Sequence, residues 1–262
     1  MKSVYLTVTV GPDFRLLPKF LEYYIKQGIK KFLIILNSDN PKISNILSMH
    51  GLTAVHSWLG SFSEKDKQEN ERRVIDDICS EDDWIVYADL DEFQHYPLGL
   101  LKSIYLADKN HDDYIEGRLI DRVSESGKLI ELNNRISLEE QFPLGGYITS
   151  PLLKAWDKKI VAARKNKIVG GGHHIFLNSA NLRTLPYNTK ISGPFKDVKI
   201  HHFKWDSQII NRFKGYLDLK DESLFYWKKE ISLFLNYYKK NFKIKTKTKK
   251  FEFSKIDNIL NI

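Results

Sequence analysis

A short acidic cluster constrains this 262-residue chain more than any other feature of its sequence. The apolar run Trp84–Ala88 predicts a buried strand, and this strand leads directly into Asp89, Asp91 and Glu92. Concentrated negative charge at the edge of a sheet is costly unless a cation neutralises it, and carboxylate oxygens suit Mg²⁺ or Mn²⁺. A metal at the end of a strand in an α/β sheet indicates a phosphorylated ligand. A solvated acidic turn is the alternative interpretation.

The first 95 residues alternate strand patterns with helix patterns. Their β-α-β-α-β-α-β order predicts an α/β fold with a mainly parallel central sheet flanked by helices. Ligands of such sheets bind at the carboxyl ends of the strands, so polar residues that follow the strands should gather along one edge. The predicted strands are Ser3–Val10, Lys31–Leu36, Leu52–His56 and Trp84–Ala88, the helices run from Phe14 to Ile25, from Asn40 to before Gly51 and from Ser63 to Cys79, and the polar residues are Asn37, Asp39, His56, Asp89 and Asp91.

Beyond Gly99 the pattern is less regular. The segments Asp113–Ile120 and Leu129–Ile136 look extended, and Asp221–Tyr238 predicts an amphipathic helix. The C-terminal part is basic, because positions 224–262 contain ten lysines and three acidic residues. The formal net charge of the whole chain is +8. Such a segment suits nucleic acid, anionic lipid or an acidic partner, and a merely solvated segment fits equally well.

Absent motifs argue against several function classes. The sequence has no G-x-G-x-x-G, no G-x-x-x-x-G-K-[ST] and no G-x-S-x-G, the motifs of dinucleotide binding, of the ATP-cradling loop and of the nucleophile elbow. Paired cysteines and H-E-x-x-H are missing too, so no zinc site is expected. Cys79 is the single cysteine, and no apolar stretch approaches the ~20 residues of a membrane span, so the expected location is cytoplasmic.

Ordered motifs between residues 3 and 215 give the chain a resemblance to a known family. It resembles the glycosyltransferases of the GT-A fold, in particular the family-2-like branch with a D-x-D-E-F motif. D-x-D alone is a weak pattern, but D-L-D-E-F after an apolar strand, followed by H-H-F-K-W from His201, is more specific. The matching segments are Val4–Gly28, Asn37–Asp39, Trp84–Phe93, Gly117–Arg122, Gly171–His174 and His201–Asp206.

The resemblance implies a Rossmann-like GT-A fold with a helical C-terminal extension. It also implies a nucleotide-sugar donor, usually a UDP-sugar, and a Mn²⁺ or Mg²⁺ ion that neutralises charge on the departing diphosphate. Asp91, with Asp89 directly or through water, would hold this ion, and His202 would be a further ligand. Lys204 would contact a phosphate as a point charge. A half-buried strand histidine and an exposed lysine are the alternatives for these last two residues.

Further nucleotide contacts follow from the same resemblance. Val10 and Gly11 lie at the end of the first strand, and the base and ribose would lie beside them. Asp39 would bond the uracil or the ribose, and Arg73 and Arg15 would reach the phosphates, unless they lie in solvated helix faces. The family commonly has an Asn-Glu pair near the first turn, where this chain reads G-P-D.

An inverting transfer also needs a carboxylate that takes the proton from the acceptor hydroxyl. Asp121 is the first candidate, because it ends an extended segment beyond the D-x-D motif, and a salt-bridged Asp121 is the alternative. His173 and His174 follow three glycines and are expected to line the donor-sugar or acceptor site. The weaker candidates for the base are Glu92, Glu139 and Glu140.

These expectations divide the chain by role. Residues 1–215 form the predicted glycosyltransferase domain, with a nucleotide-sugar-binding half at 1–98 and an acceptor-side half at 99–215, and residues 216–262 form a basic helical C-terminal extension. The expected partners are the donor, a glycan, lipid-linked or protein-linked acceptor, and either the inner face of a membrane or a second copy of the chain. The alternative function is a basic nucleic-acid-binding module, which the acidic sheet edge disfavours. A D-x-D phosphotransferase is a third possibility, although its aspartates usually follow the first strand.

Overall fold

Alternating strands and helices build a mixed α/β fold, which a computed structural model describes for residues 2–177, 183–184, 198–219, 225–256 and 260. The chain divides into two compact units, a first unit of Met1–Arg118 with Lys158–Lys199 and a second unit of Leu119–Asp157 with Ile200–Ile262. The helices are α1 (Leu17–Lys26), α2 (Pro41–Met49), α3 (Glu64–Ile78), α4 (Leu100–Lys109), α5 (Leu138–Gln141), α6 (Ile209–Asp218) and α7 (Phe225–Asn241), with a π-helical turn at Thr149–Leu153. The strands are β1 (Val4–Val10), β2 (Lys31–Leu36), β3 (His56–Ser57), β4 (Trp84–Tyr87), β5 (Glu92–His95), β6 (Tyr114–Val123), β7 (Leu144–Gly146), β8 (Lys158–Arg164), β9 (Ile168–Gly170), β10 (Ile175–Leu177), β11 (Arg183–Thr184), β12 (Val198–His202) and β13 (Ser254–Lys255).

The sheet of the first unit is parallel at its centre. Its order is β3-β2-β1-β4, and these four strands are parallel. Next to β4 lies β8, which is antiparallel to β4, and next to β8 lies the first half of β6, which is antiparallel to β8. The register sets Val10 beside Leu36 and Thr7 beside Tyr87, so β1, β2 and β4 end at the same edge. The predicted α/β fold, with a central sheet flanked by helices, is confirmed; the sheet is parallel across β3-β2-β1-β4 and antiparallel beyond it.

The third strand is shorter than its sequence pattern predicts. Ladder pairing to β2 begins only at His56, although Val55 donates its N–H to the carbonyl of Ile34 at 2.9 Å. β3 lies at the edge of the sheet, and Val55 is 41% exposed, so little packing holds the preceding residues in an extended conformation. The edge position, and not a weak strand pattern, limits β3.

Two helices begin at the residues where the sequence predicts their starts, and each of these residues caps its helix. The side chain of Asn40 accepts the N–H of Lys42 at 3.0 Å at the start of α2. Ser63 accepts the N–H of Asp66 at 3.0 Å at the start of α3. The buried side chains of α3 recur at helical spacing, but the first two are charged: Lys67, Glu71, Val74 and Ile75.

The apolar end of α3 packs on the sheet, and its charged end lies at the carboxyl edge of the strands. Because a buried charge needs a partner, the two charged positions on α3 predict an ion-pair network at that edge. The apolar cluster here comprises Leu33, Ile35, Val74, Ile75, Cys79, Ile85, Tyr87, Ile160 and Ala163.

The second unit has a core of its own. The second half of β6 pairs with β7, and β7 pairs with β13, both antiparallel. The segment Leu129–Ile136, expected to be extended, forms turns and coil. α7 confirms the predicted C-terminal helix, of which positions 221–224 lie outside the described residues. The core comprises Val123, Ile148, Leu152, Leu153, Trp205, Ile209, Phe213, Ile231, Phe234, Ile244 and Phe251.

None of the helices in the described part of the chain combines the length and the apolar character that crossing a membrane requires. The predicted boundaries at residues 98 and 215 separate segments by their expected roles in binding the donor and the acceptor, and this division stays a prediction.

Candidate active site

The carboxyl ends of the parallel strands bring several of the predicted residues together. The N–H of Asn37, directly after β2, bonds the carbonyl of Val10 at 2.9 Å, so the ends of β1 and β2 are adjacent. The Asn37 side chain donates to the carbonyl of Gly60 at 3.2 Å, in the loop after β3. Asp39 is exposed two residues further on. Asp89 follows β4, which lies on the other side of β1.

Two lysines hold Asp89 at this edge. Lys67 of α3 donates to Oδ1 at 2.6 Å, and Lys159 of β8 donates to Oδ2 at 2.6 Å. Lys159 also donates to Glu92 Oε1 at 2.7 Å, and the backbone N–H of Asp89 lies 3.4 Å from Glu92 Oε2. The Lys67 and Lys159 side chains are only 7% and 4% exposed. The D-L-D-E-F turn is therefore fixed to α3 and to β8 by buried ion pairs.

Burial and ion pairing oppose each other in this network. Burial alone raises the pKa of Asp89, but Lys159 and Lys67 outweigh it, and the pKa lies well below its usual value. Burial lowers the pKa of both lysines, yet the facing carboxylates raise each pKa above its ordinary value. Asp89 is thus ionised, and the two lysines are charged, throughout the physiological pH range.

A second arm of the network runs through α3 to the glycine-rich loop. Glu71 accepts from the hydroxyl of Thr9 at 3.1 Å, and its other oxygen lies 3.0 Å from His173 Nε2. Burial raises the pKa of Glu71, but Lys67 and His173 bring it below its ordinary value. His173 is 2% exposed, and its Nδ1 is buried without a hydrogen-bond partner among the residues that the structure describes.

The backbone of the glycine-rich loop sets the position of His173. Gly171, Gly172 and His173 are three successive left-handed residues, with φ of 57°, 64° and 67°. The Gly172 N–H donates to Glu64 Oε1 at 3.0 Å, which ties the loop to the start of α3. The next residue, His174, is only partly exposed, and burial together with Lys159 lowers its pKa to about 3, so it is neutral.

Asp121, the predicted base, is fully buried in the second unit. Its carboxylate accepts from the backbone N–H groups of Ile148 and Thr149 at 2.7 and 2.9 Å, and from the Thr149 hydroxyl at 3.1 Å. Trp205 donates to it at 2.8 Å, and His202 Nδ1 lies at 3.2 Å. Burial raises its pKa, but these hydrogen bonds and the nearby His202 lower it to about 2. A carboxylate that is so fully satisfied and so weakly basic favours an anchoring role.

The structure places the other predicted residues in ordinary surroundings. Arg73 lies on the exposed side of α3, 4.0 Å from Asp77. Arg15 forms two bonds of 2.8 and 2.7 Å with Asp13. Lys204 lies 5.1 Å from the centre of the Trp205 ring. Of the weaker candidates for the base, Glu139 accepts the N–H of Leu260 at 2.9 Å and Glu140 completes the capping box of α5 with Ser137.

The donors around Asp89 do not suit direct metal binding as they are arranged. Each of its oxygens already accepts from an ammonium group, so two positive charges lie where a further cation would have to bind. Across the residues that the structure describes, no group of three or more His, Cys, Asp or Glu side chains is placed to hold a metal ion. Asp91 is partly exposed on the same turn.

Sequence reasoning missed the residues that fix the turn. Lys67 and Glu71 are four residues apart on a strongly polar helix, on the same side as the buried Val74 and Ile75. This spacing is the one sequence signal that could have indicated two buried charged side chains. Lys159 is one of two adjacent lysines, and nothing in the sequence distinguishes it from the exposed Lys158.

The fold and the edge site define a mixed α/β protein with a buried charge network at the carboxyl ends of its strands. No protein-family model matches the chain, and no curated protein matches it. Solved structures match it at low similarity. One is a 4-diphosphocytidyl-2C-methyl-D-erythritol synthase, at 10% identity and a TM-score of 0.37, over 88% of this chain and 99% of that chain.

Two other matches are of the same quality. A mycobacterial protein gives 12% identity and a TM-score of 0.39, over 84% of this chain and 76% of that chain. HddC from Yersinia pseudotuberculosis gives 11% identity and a TM-score of 0.36, over 74% of this chain and 89% of that chain. Likeness at this level does not indicate an activity.

Proposed function

We propose that this chain is a glycosyltransferase that moves a hexose from a nucleoside-diphosphate sugar, in the first instance a UDP-sugar, to a hydroxyl group of an acceptor. One observation carries the proposal: the D-L-D-E-F turn is held at the carboxyl end of β4 by two buried lysines, close to the end of β1. This edge is where parallel α/β sheets bind their ligands. The resemblance in sequence motifs supports the same reaction.

The reaction defines what the site must do. The bond between the anomeric carbon and the diphosphate oxygen breaks, a bond to the acceptor oxygen forms, and the acceptor proton passes to a base. Negative charge grows on the departing diphosphate, so groups oriented in advance at this edge lower the barrier. In the proposal, Lys67, Lys159 and Glu92 keep the turn rigid, so that Asp91 meets the donor in a fixed position. Val10, Gly11 and Asp39 border the nucleoside.

The divalent ion is a separate part of the proposal. Because the Asp89 oxygens are paired with lysines, Asp89 acts by fixing the turn, and Asp91 is the proposed ligand of Mn²⁺ or Mg²⁺ in this unit. Arg73 remains a proposed phosphate contact, and the acceptor remains a glycan, lipid-linked or protein-linked hydroxyl group.

The identity of the base is also proposed. Asp121 remains a candidate, although its five hydrogen-bond donors favour an anchoring role. The Glu71–His173 pair is a second candidate at the sheet edge, since a carboxylate orients the imidazole and leaves Nδ1 for a proton. Loss of turnover with retained donor binding in His173→Ala, and not in His174→Ala, would favour this pair.

A turnover assay tests the proposal. Release of UDP, GDP or CDP from the corresponding sugars is measured with Mn²⁺, with Mg²⁺ and with chelator, for the wild type and for Asp91→Asn. We expect release from one nucleotide class and a loss of at least about a hundredfold in the variant, the size typical of removing one electrostatic contact at a reacting centre. Asp82→Asn, a change at an exposed aspartate just before β4, is the matched control. Unchanged turnover in Asp91→Asn, or no release from any donor, would overturn the proposal.

A further inference from the structure

The lysines that follow α7 belong to an ordered surface and not to a loose tail. Ile244 is 1% exposed, and its N–H bonds the carbonyl of Gly127 at 2.8 Å. The N–H of Lys245 donates to the Tyr237 hydroxyl at 2.9 Å. The segment is thus fixed to its own unit at two successive residues. Five exposed lysines project from it, named here the basic comb: Lys243, Lys245, Lys247, Lys249 and Lys250.

A glycine makes this attachment possible. Gly127 has φ of 71°, and a Cβ atom at this position would lie 1.9 Å from the Ile244 carbonyl oxygen. No other residue allows the two backbones to approach so closely. Exposed lysines alternate along the segment with the buried Ile244 and the half-buried Thr246 and Thr248, up to the adjacent exposed Lys249 and Lys250.

Large aromatic side chains are exposed beside these charges. Phe242, directly before the comb, is 76% exposed, and at the other end of α7 Phe225 and Tyr226 are 65% and 69% exposed. The helix between them spans 17 residues, about 25 Å. Its exposed positions recur at helical spacing and join the two aromatic ends: Phe225, Lys229, Ser232, Asn236 and Lys240.

The net charge of this region indicates a polyanionic partner. Residues 225–256 contain ten lysines and two glutamates, a net charge of +8 by that count, 2 subtracted from 10. Such a surface attracts polyanions. Exposed Phe and Tyr side chains next to lysines along a helix face are typical of the boundary between lipid headgroups and acyl chains. Base stacking on single-stranded RNA uses aromatic residues within a groove that tracks the backbone, which this convex helix face does not offer.

We infer that the basic comb, Phe242 and the exposed stripe of α7 form a docking surface for membranes rich in anionic phospholipid. This inference goes beyond the proposed function and does not depend on it. The lysines bind the headgroup phosphates, and Phe225, Tyr226 and Phe242 insert at the headgroup level.

Vesicle binding of the full chain tests this inference. Co-sedimentation is measured with phosphatidylcholine vesicles and with vesicles that also contain phosphatidylglycerol, at low and high salt. We expect binding only to the anionic vesicles, and weaker binding at high salt. The triple variant K243Q/K245Q/K247Q should bind about a hundredfold more weakly, since each lysine near an anionic surface contributes about a factor of five. Phe242→Ser should bind more weakly at both salt concentrations.

The control variant K26Q/K42Q/K102Q removes the same charge from exposed positions of the first unit and should bind like the wild type. Circular dichroism of all variants checks that they are folded, and the salt dependence of wild-type binding tests the inference without any substitution. Equal binding to both vesicle types would overturn it, as would an equal loss in the two triple variants. Binding to single-stranded RNA without binding to vesicles would also overturn it.

Discussion

The most informative perturbation of the charge network is Lys159→Met, which removes one cation and keeps most of the side-chain volume. Breaking a buried ion pair by removing one partner costs about 3–5 kcal/mol. Asp89 keeps its bond to Lys67 at 2.6 Å and is 31% exposed, so solvent and Lys67 compensate part of the loss there. Glu92 is 3% exposed and loses its 2.7 Å partner. We therefore expect the low end of the range, about 3 kcal/mol of unfolding free energy.

The pH dependence of this loss has a definite sign. The pKa of Asp89 is depressed in the folded state, so its ion pairs stabilise the fold above the unfolded pKa of about 4 and lose that effect as the pH falls through the folded value. The difference between wild type and Lys159→Met should therefore be largest near neutral pH and shrink in acid.

Urea unfolding followed by tryptophan fluorescence measures the effect. Lys158→Met is the matched control, because Lys158 is an exposed neighbour on the same strand and should change stability by no more than about 0.5 kcal/mol. A loss below about 1 kcal/mol in Lys159→Met, or a loss that does not depend on pH, would refute the buried-network argument.

Three further outcomes are expected in the same unfolding assay. Asp121→Asn should lose about 2 kcal/mol at neutral pH, since the carboxyl pKa falls from 3.8 to about 2 on folding, and the wild type should lose this stability between about pH 4 and pH 2. Burial raises the pKa of Glu230 to about 7, so wild-type stability should fall as the pH rises from about 5 to 8, and Glu230→Gln should gain about 1 kcal/mol at the alkaline end after allowance for partial exposure. Gly127→Ala should lose more than about 2 kcal/mol through the clash with the Ile244 carbonyl oxygen, whereas Gly215→Ala in α6, where nothing lies within 4 Å, should gain up to about 1 kcal/mol; equal effects of the two alanines would contradict this.

Local patterns were sufficient to predict most of the strands and helices around the candidate site, namely β1, β2, β4, α2 and α3. The apolar strand before Asp89 and the helix starts at Asn40 and Ser63 depend on neighbouring residues, so the sequence predicts them. β8 was not predictable in this way, because its inward residues include Lys159 and its partners β4 and β6 are distant in the chain.

The partners of Asp89 show where sequence reasoning stops. Lys65 and Lys67 lie two residues apart on α3, yet Lys65 is 75% exposed beside Glu69, whereas Lys67 is 7% exposed beside Asp89. Only the packing of α3 on the sheet separates the two roles. The D-L-D-E-F motif predicted a charged turn at the edge, but not that lysines would neutralise Asp89.

The most direct test of the account is a crystal of the full chain soaked with UDP and Mn²⁺. We expect electron density for the nucleotide at the carboxyl ends of β1, β2 and β4, with the diphosphate beside Asp91 and with Lys67 and Lys159 still bound to Asp89. A nucleotide bound elsewhere, or no density beside this turn at saturating UDP, would contradict it.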